Sequence, residues 1–177
     1  VLSEDGDGRR IRHDLMNKCN LHTILRLPTG IFYAGGVKTN VLFFERGTTD
    51  QDNTHRVWFY DMRTNMGSYG KRTLFTRAAF TGFVKAYTGG LSIDEVRDQY
   101  DGTIDHDKRE AIQDERWQSF TREEIEKRDD SLALGLIADE SLSQGQELGE
   151  PREIAKKALT EIKQIMNELN AIVKELE

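Results

Sequence analysis

"LHTILRLPTGIFYAGGVKTNVLFFER", residues 21–46, decides how this chain folds. Its first seven residues alternate and are rich in Leu, Ile and Thr, the composition of a β-strand. Residues 39–46, "TNVLFFER", form a second run that is nearly continuous in apolar side chains, which predicts a strand buried on both faces. Between the two, Pro28, Gly30, Gly35 and Gly36 punctuate the backbone, yet Ile31, Phe32 and Tyr33 sit inside that connection. Apolar side chains in such a loop either fold back onto their own domain or face something flat.

The flanking sequence supplies the rest of the unit. "SEDGDG" (3–8) reads as a loop, and "RRIRHDLMNKC" (9–19) as a short helix with Ile11, Leu15 and Met16 at helical spacing. "RVWFYDMR" (56–63) is a third strand, in which Val57, Phe59 and Asp61 alternate with Trp58 and Tyr60. Three strands and one helix cannot cover both faces of a sheet, so residues 1–70 read as the closing part of an α/β domain.

After residue 70 the texture changes. "FTRAAFTGFVKAYTGG" (75–90) predicts a helix with Thr76 as N-cap, Phe80, Phe83, Val84 and Tyr87 on one face, and Gly89 and Gly90 at its end. Ser92 with Glu95, and Thr121 with Glu124, have capping-box spacing. The acidic stretch 101–115, "DGTIDHDKREAIQDE", shows no period and reads as irregular, so 71–150 is expected to be a helical and irregular extension. From Pro151 onward, Ala155, Ala158, Ile162, Ile165, Leu169, Ile172 and Leu176 form an a/d repeat, widened by Leu159, Met166 and Val173. A helix over 151–177 would reach roughly 40 Å. Its stripe suits either packing on its own chain or docking into another subunit's helices.

Bulk properties exclude several classes. No apolar run approaches the roughly 20 residues that a membrane helix needs, and "VLSEDG" has no signal-peptide pattern. Beginning on Val1 rather than Met suggests a fragment of a longer protein. Cys19 is the single cysteine, which excludes an internal disulfide or a cysteine zinc cluster and predicts a buried, inert thiol. Such usage fits a cytoplasmic protein. The four histidines lack metal-ligand spacing, so no metal is expected, and "GDGRR" (6–10) lacks the residues of a dinucleotide or P-loop motif. Net charge is −6, but residues 1–88 carry 13 basic and 8 acidic residues against 12 and 23 in the remainder. That asymmetry hints at one part facing a polyanion and another facing protein or solvent.

The long stretch "RRIRHDLMNKCNLHTILRLPTGIFYAGGVKTNVLFFERG" (9–47), followed by "VWFYDMRTNMGSYGKRTLFT" (57–76), closely resembles the modification subunit of type I restriction–modification systems, an adenine-N6 DNA methyltransferase. The likeness continues more loosely through "RWQSFTREEIEKRDDSLALGLI" (116–137) to the terminal helix. It implies an α/β fold: the C-terminal end of a Rossmann-like, S-adenosylmethionine-dependent methyltransferase sheet, followed by a helical tail with a long C-terminal helix. The family's donor-binding glycine loop and Asn-Pro-Pro-aromatic motif are absent, Pro28 and Pro151 being the sole prolines. The resemblance therefore puts the S-adenosylmethionine site and the catalytic residues upstream of Val1 and leaves the isolated fragment inactive.

By the same resemblance, "GIFYAGGVKTNVLFF" (30–44) is similar to the hairpin whose connecting loop carries the aromatic that meets the flipped base, with Phe32 at that position; Lys38, on the same loop, is suited to neutralise a DNA phosphate. Tyr33 stands where related enzymes often have proline. The heptad-like helix, through Ile162, Ile165, Leu169, Ile172 and Leu176, would join the specificity subunit. The implied partners are DNA, that specificity subunit and the restriction subunit, with no membrane. The competing class is a non-catalytic interaction module that only scaffolds a DNA-modifying complex.

Overall fold

A computed structural model describes residues 2, 5–32, 37–67, 69–70, 73–135 and 137. The chain divides into the units Val1–Ala138 and Asp139–Glu177. Tyr33 and the patterned segment 151–177, with Ile162, Ile165, Leu169, Ile172 and Leu176, lie outside the described residues.

The expected elements form in order: helix α1 (Asp7–Lys18), strands β1 (Cys19–Arg26), β2 (Asn40–Arg46) and β3 (Arg56–Asp61), a 3₁₀ turn (Arg77–Phe80) and helix α2 (Thr81–Thr88). Short helices α3 (Val96–Gln99) and α4 (His106–Glu110) follow, then strand β4 (Trp117–Thr121) and helix α5 (Arg122–Glu126). The sheet order is β2-β1-β3-β4, with β1 antiparallel to β2, parallel to β3, and β3 antiparallel to β4.

β4 comes from the stretch expected to be helical or irregular. Gln118 and Ser119 mask its periodicity, but the free edge of β3 offers backbone partners, and Trp117 stacks on Trp58 at 4.9 Å with 12° between the rings. The 101–115 stretch is likewise more ordered than its composition predicts. Asp105 caps α4 by accepting from Lys108 N, and Arg109 is buried beneath it.

Alternation along β3 builds two cores. Val57 and Phe59 face Met16, Leu21, Ile24, Ile125, Leu132 and Leu134; Trp58 and Tyr60 face Leu25, Phe83, Ala86 and Trp117. Both β3 faces are thus covered, by α1 and α5 on one side and α2 on the other. In β1 the period slips at a bulge, where Leu21 opposes Phe44 but Thr23 opposes Phe43. The extra residue, His22, lets Leu21 and Ile24 share one face while His22 meets the rings of Phe43 and Tyr87 on the other.

Three expectations need correction. β2 is an edge strand among the described residues, and Phe44 is 50% exposed, so the strand is not buried on both faces in this chain. Its apolar run satisfies a central strand, yet only β1 lies beside it. Ile11, expected on the apolar stripe of α1, is also exposed; Arg12 turns inward instead and donates from Nε to Asp130 O at 2.6 Å. The buried guanidinium thereby satisfies a carbonyl that the left-handed residues Asp129 and Asp130 turn toward α1. Thr76, expected as the N-cap of the next helix, makes no side-chain cap bond; it precedes the 3₁₀ turn, and α2 begins only at Thr81. The remaining capping signals behave as expected. Gly89 ends α2 at φ 74°, Thr121 and Glu124 form a full capping box, and Ser92 and Glu95 exchange the same pair of bonds.

Candidate DNA-facing loop

Because β1 and β3 run parallel, the connections that follow them, 27–39 and 62–76, leave the same end of the sheet. Ligands of open α/β sheets bind at the carboxyl ends of such strands. The first connection is closed at its base by Leu27 N donating to Thr39 O at 3.0 Å. Gly30 then takes φ 81°, a conformation that glycine adopts without strain. Ile31 packs against the Trp58–Phe83 core, whereas Phe32 is 49% exposed and Val37 and Lys38 are exposed as well. The loop is therefore anchored through one apolar side chain and presents the next.

The second connection braces the first. Met62 N donates to Arg26 O at 3.0 Å, and Tyr69 N to Thr29 O at 3.2 Å. Arg63 reaches both ends of the loop, donating from Nε to Leu27 O at 3.1 Å and from Nη2 to Thr39 O at 2.7 Å. Nη2 also lies 3.3 Å from Asn40 Oδ1.

Arg63 is itself held by Asp61, which is completely buried. One carboxylate oxygen accepts from the backbone N–H of Arg63 (2.7 Å) and Thr64 (2.9 Å), the other from Thr64 Oγ1 (2.8 Å) and Arg26 Nη1 (3.2 Å). Burial alone would raise its pKa; the N–H groups of Thr64 and Arg63, the Thr64 hydroxyl and the Arg26 charge outweigh it and hold the carboxyl below its ordinary value. Just before β4, Arg116 donates from Nη1 to Asp61 O (3.0 Å) and Thr64 O (2.8 Å), locking the turn on its other side.

Asp61 and Arg63 were not singled out from the sequence. The available signal was a pair of charges closing an otherwise apolar strand, "VWFYDMR". Phe32 and Lys38 sit on the same loop, both exposed. Among the described residues no cluster of His, Cys, Asp and Glu could hold a metal ion. Cys19 is buried at the start of β1, and no described helix is long and apolar enough to cross a membrane.

The parallel β1–β3 pair, flanked by antiparallel β2 and β4 and covered by helices on both faces of β3, defines a mixed α/β domain. The chain belongs to the N-6 DNA methylase family, whose model matches residues 1–141.

Among similar proteins, the type I restriction enzyme EcoKI methylase subunit of Escherichia coli K12 and the StySJI methylase subunit of Salmonella typhimurium are each 43% identical to it, over 99% of this chain. The chain spans 37% of the length of these curated relatives. Its structure is similar to the crystal structure of the EcoKI M protein, with a TM-score of 0.61 at 39% identity, over 99% of this chain and 39% of that one. It also resembles a type I R-M system chain from work on complex assembly and conformational transition, with a TM-score of 0.59 at 27% identity, over 99% of this chain and 34% of that one.

Proposed function

We propose that this chain is the C-terminal part of a type I restriction–modification DNA adenine-N6 methyltransferase subunit, and that it contributes the base-facing loop. The observation that carries this reading is the placement of Phe32: half exposed, beside a core-anchored Ile31, on a braced loop at the carboxyl end of β1. An adenine swung out of the duplex loses its stacking, and a planar side chain returns part of that energy, about 1–3 kcal/mol per base. Lys38, exposed on the same loop, is suited to a phosphate beside that base.

The open edge of β2 supports the placement of this chain at one end of a larger Rossmann-like sheet. A further strand there would lie beside the exposed Val41 and Phe44 and pair with the edge of β2. The described residues do not fit S-adenosylmethionine: the Gly6–Gly8 turn opens α1 instead of following a described strand, and its Asp7 pairs with Arg10. In this reading the donor and the reacting groups belong to the remainder of the subunit, and the isolated chain neither binds the donor nor transfers methyl groups. Residues 151–177 then form the helix that docks on the specificity subunit, with DNA and the restriction subunit completing the assembly.

The test uses the full-length subunit in its complex. Phe32→Ala should lower methylation turnover about tenfold, the equivalent of about 1.4 kcal/mol of stacking, and leave assembly intact. Truncation after Gly149 should break assembly instead. Unchanged turnover in Phe32→Ala removes the base-contact role and leaves the interaction-module reading.

A further inference from the structure

The two ends of loop 28–39 do not rely on one backbone bond. Arg63 spans them, its Nε on Leu27 O and its Nη2 on Thr39 O, carbonyls twelve residues apart in sequence. Three features make this a built device. The guanidinium approaches from the turn that follows the neighbouring parallel strand β3, so it ties the loop to the sheet and not to itself. Its own backbone N–H is fixed by the buried Asp61 carboxylate. The turn carrying it is braced by Arg26 through that carboxylate and by Arg116 through two carbonyls. A planar fork of donors can hold two separate carbonyls at once, whereas an ammonium at the end of a flexible stem is a point charge.

We infer that Arg63 is a positioning residue for the methyl-transfer step: by clamping both ends of loop 28–39 it fixes where Phe32 stands relative to the extruded base. This rests on the base-contact reading of Phe32. Arg63 touches neither base nor donor; it acts through the loop. Removing the clamp leaves the closing bond Leu27 N–Thr39 O in place but frees the loop base to shift against β3. Displacements of about 1 Å at a positioned group cost up to about 100-fold in rate. Here the effect is bounded by what Phe32 itself contributes.

The experiment is a double-mutant cycle in the full-length subunit within its complex, read by single-turnover methylation and by the fluorescence of 2-aminopurine replacing the target adenine. Arg63→Ala should slow methyl transfer about tenfold and lower the 2-aminopurine signal, with DNA and donor affinities unchanged. In the Phe32→Ala background the same substitution should cost less than about twofold, because the group it positions is gone. Arg63→Lys keeps charge and most of the volume, so it serves where Arg63→Ala fails to fold. It should be nearly as slow, since one ammonium does not bridge both carbonyls. Parental rate and fluorescence in Arg63→Lys overturn the clamp, as do independent, multiplicative losses in the double variant. Phe32→Ala at parental rate refutes the base-contact reading instead, so the two failures are distinct.

Discussion

Replacing Asp61 by Asn tests the anchor beneath the loop. The carboxylate accepts four hydrogen bonds while completely buried, two from backbone N–H groups on one oxygen and two from Thr64 Oγ1 and Arg26 Nη1 on the other. Asparagine keeps an oxygen for the backbone pair but turns an NH₂ toward Arg26, whose side chain is only 16% exposed. A buried cation then faces a donor. Loss of a charge-assisted bond and of the partner's neutralisation predicts a cost of about 3 kcal/mol. With a urea slope of about 2 kcal/mol per molar, the midpoint of unfolding should fall by about 1.5 M. The pH dependence carries the sign. Because the folded carboxyl is held below its ordinary 3.8, the unfolded chain takes up the proton first. The parent's advantage over Asp61→Asn is therefore complete above that value and disappears as pH falls through the lower folded pKa. A midpoint shift under about 0.4 M at neutral pH, or an advantage that persists in strong acid, refutes the pairing.

Two further outcomes follow from the core. Burial, and then the charges of Arg109 and His106, push His22 from its ordinary 6.5 to about 4, and Thr23 Oγ1, which accepts from Arg109, lies 3.0 Å from its Nδ1. A lowered folded pKa means that the unfolded chain is protonated first, so His22 costs stability as pH drops from 6.5 to 4, by about 3 kcal/mol, and adds no loss below that. Urea titrations across this window should show a smaller decline for His22→Gln than for the parent; equal declines would show that His22 is solvated. Trp117→Ala should cost about 3–5 kcal/mol in the same assay by emptying the space against Trp58 and freeing β4, and a loss under about 1 kcal/mol would mean that β4 is not part of the cooperative sheet.

Local chemistry made much of this protein legible from its sequence. Alternation located β1 and β3, helical spacing located α1 and α2, Gly89 marked the end of α2, and capping-box residues marked the starts of α3 and α5, because each signal depends on neighbours within about one turn or one strand. The resemblance carried by residues 9–76 identifies the family, and the long loop with Phe32 is plain in the sequence itself.

What stayed hidden is non-local. β4 exists because the edge of β3, some 60 residues earlier, accepts it, and the bulge at His22 is visible only in the β1–β2 register. Arg12 and Arg109 are charged residues that no pattern assigns to the interior, yet carbonyls brought from distant segments accept from them there. The same holds for the loop: local alternation and punctuation set residues 28–39 as a connection between two strands that carries Phe32, whereas packing of distant segments brings Arg63 to its two ends. A hydrogen bond between the connections that follow two parallel strands depends on the register of those strands in space, and spacing along the chain does not encode that register.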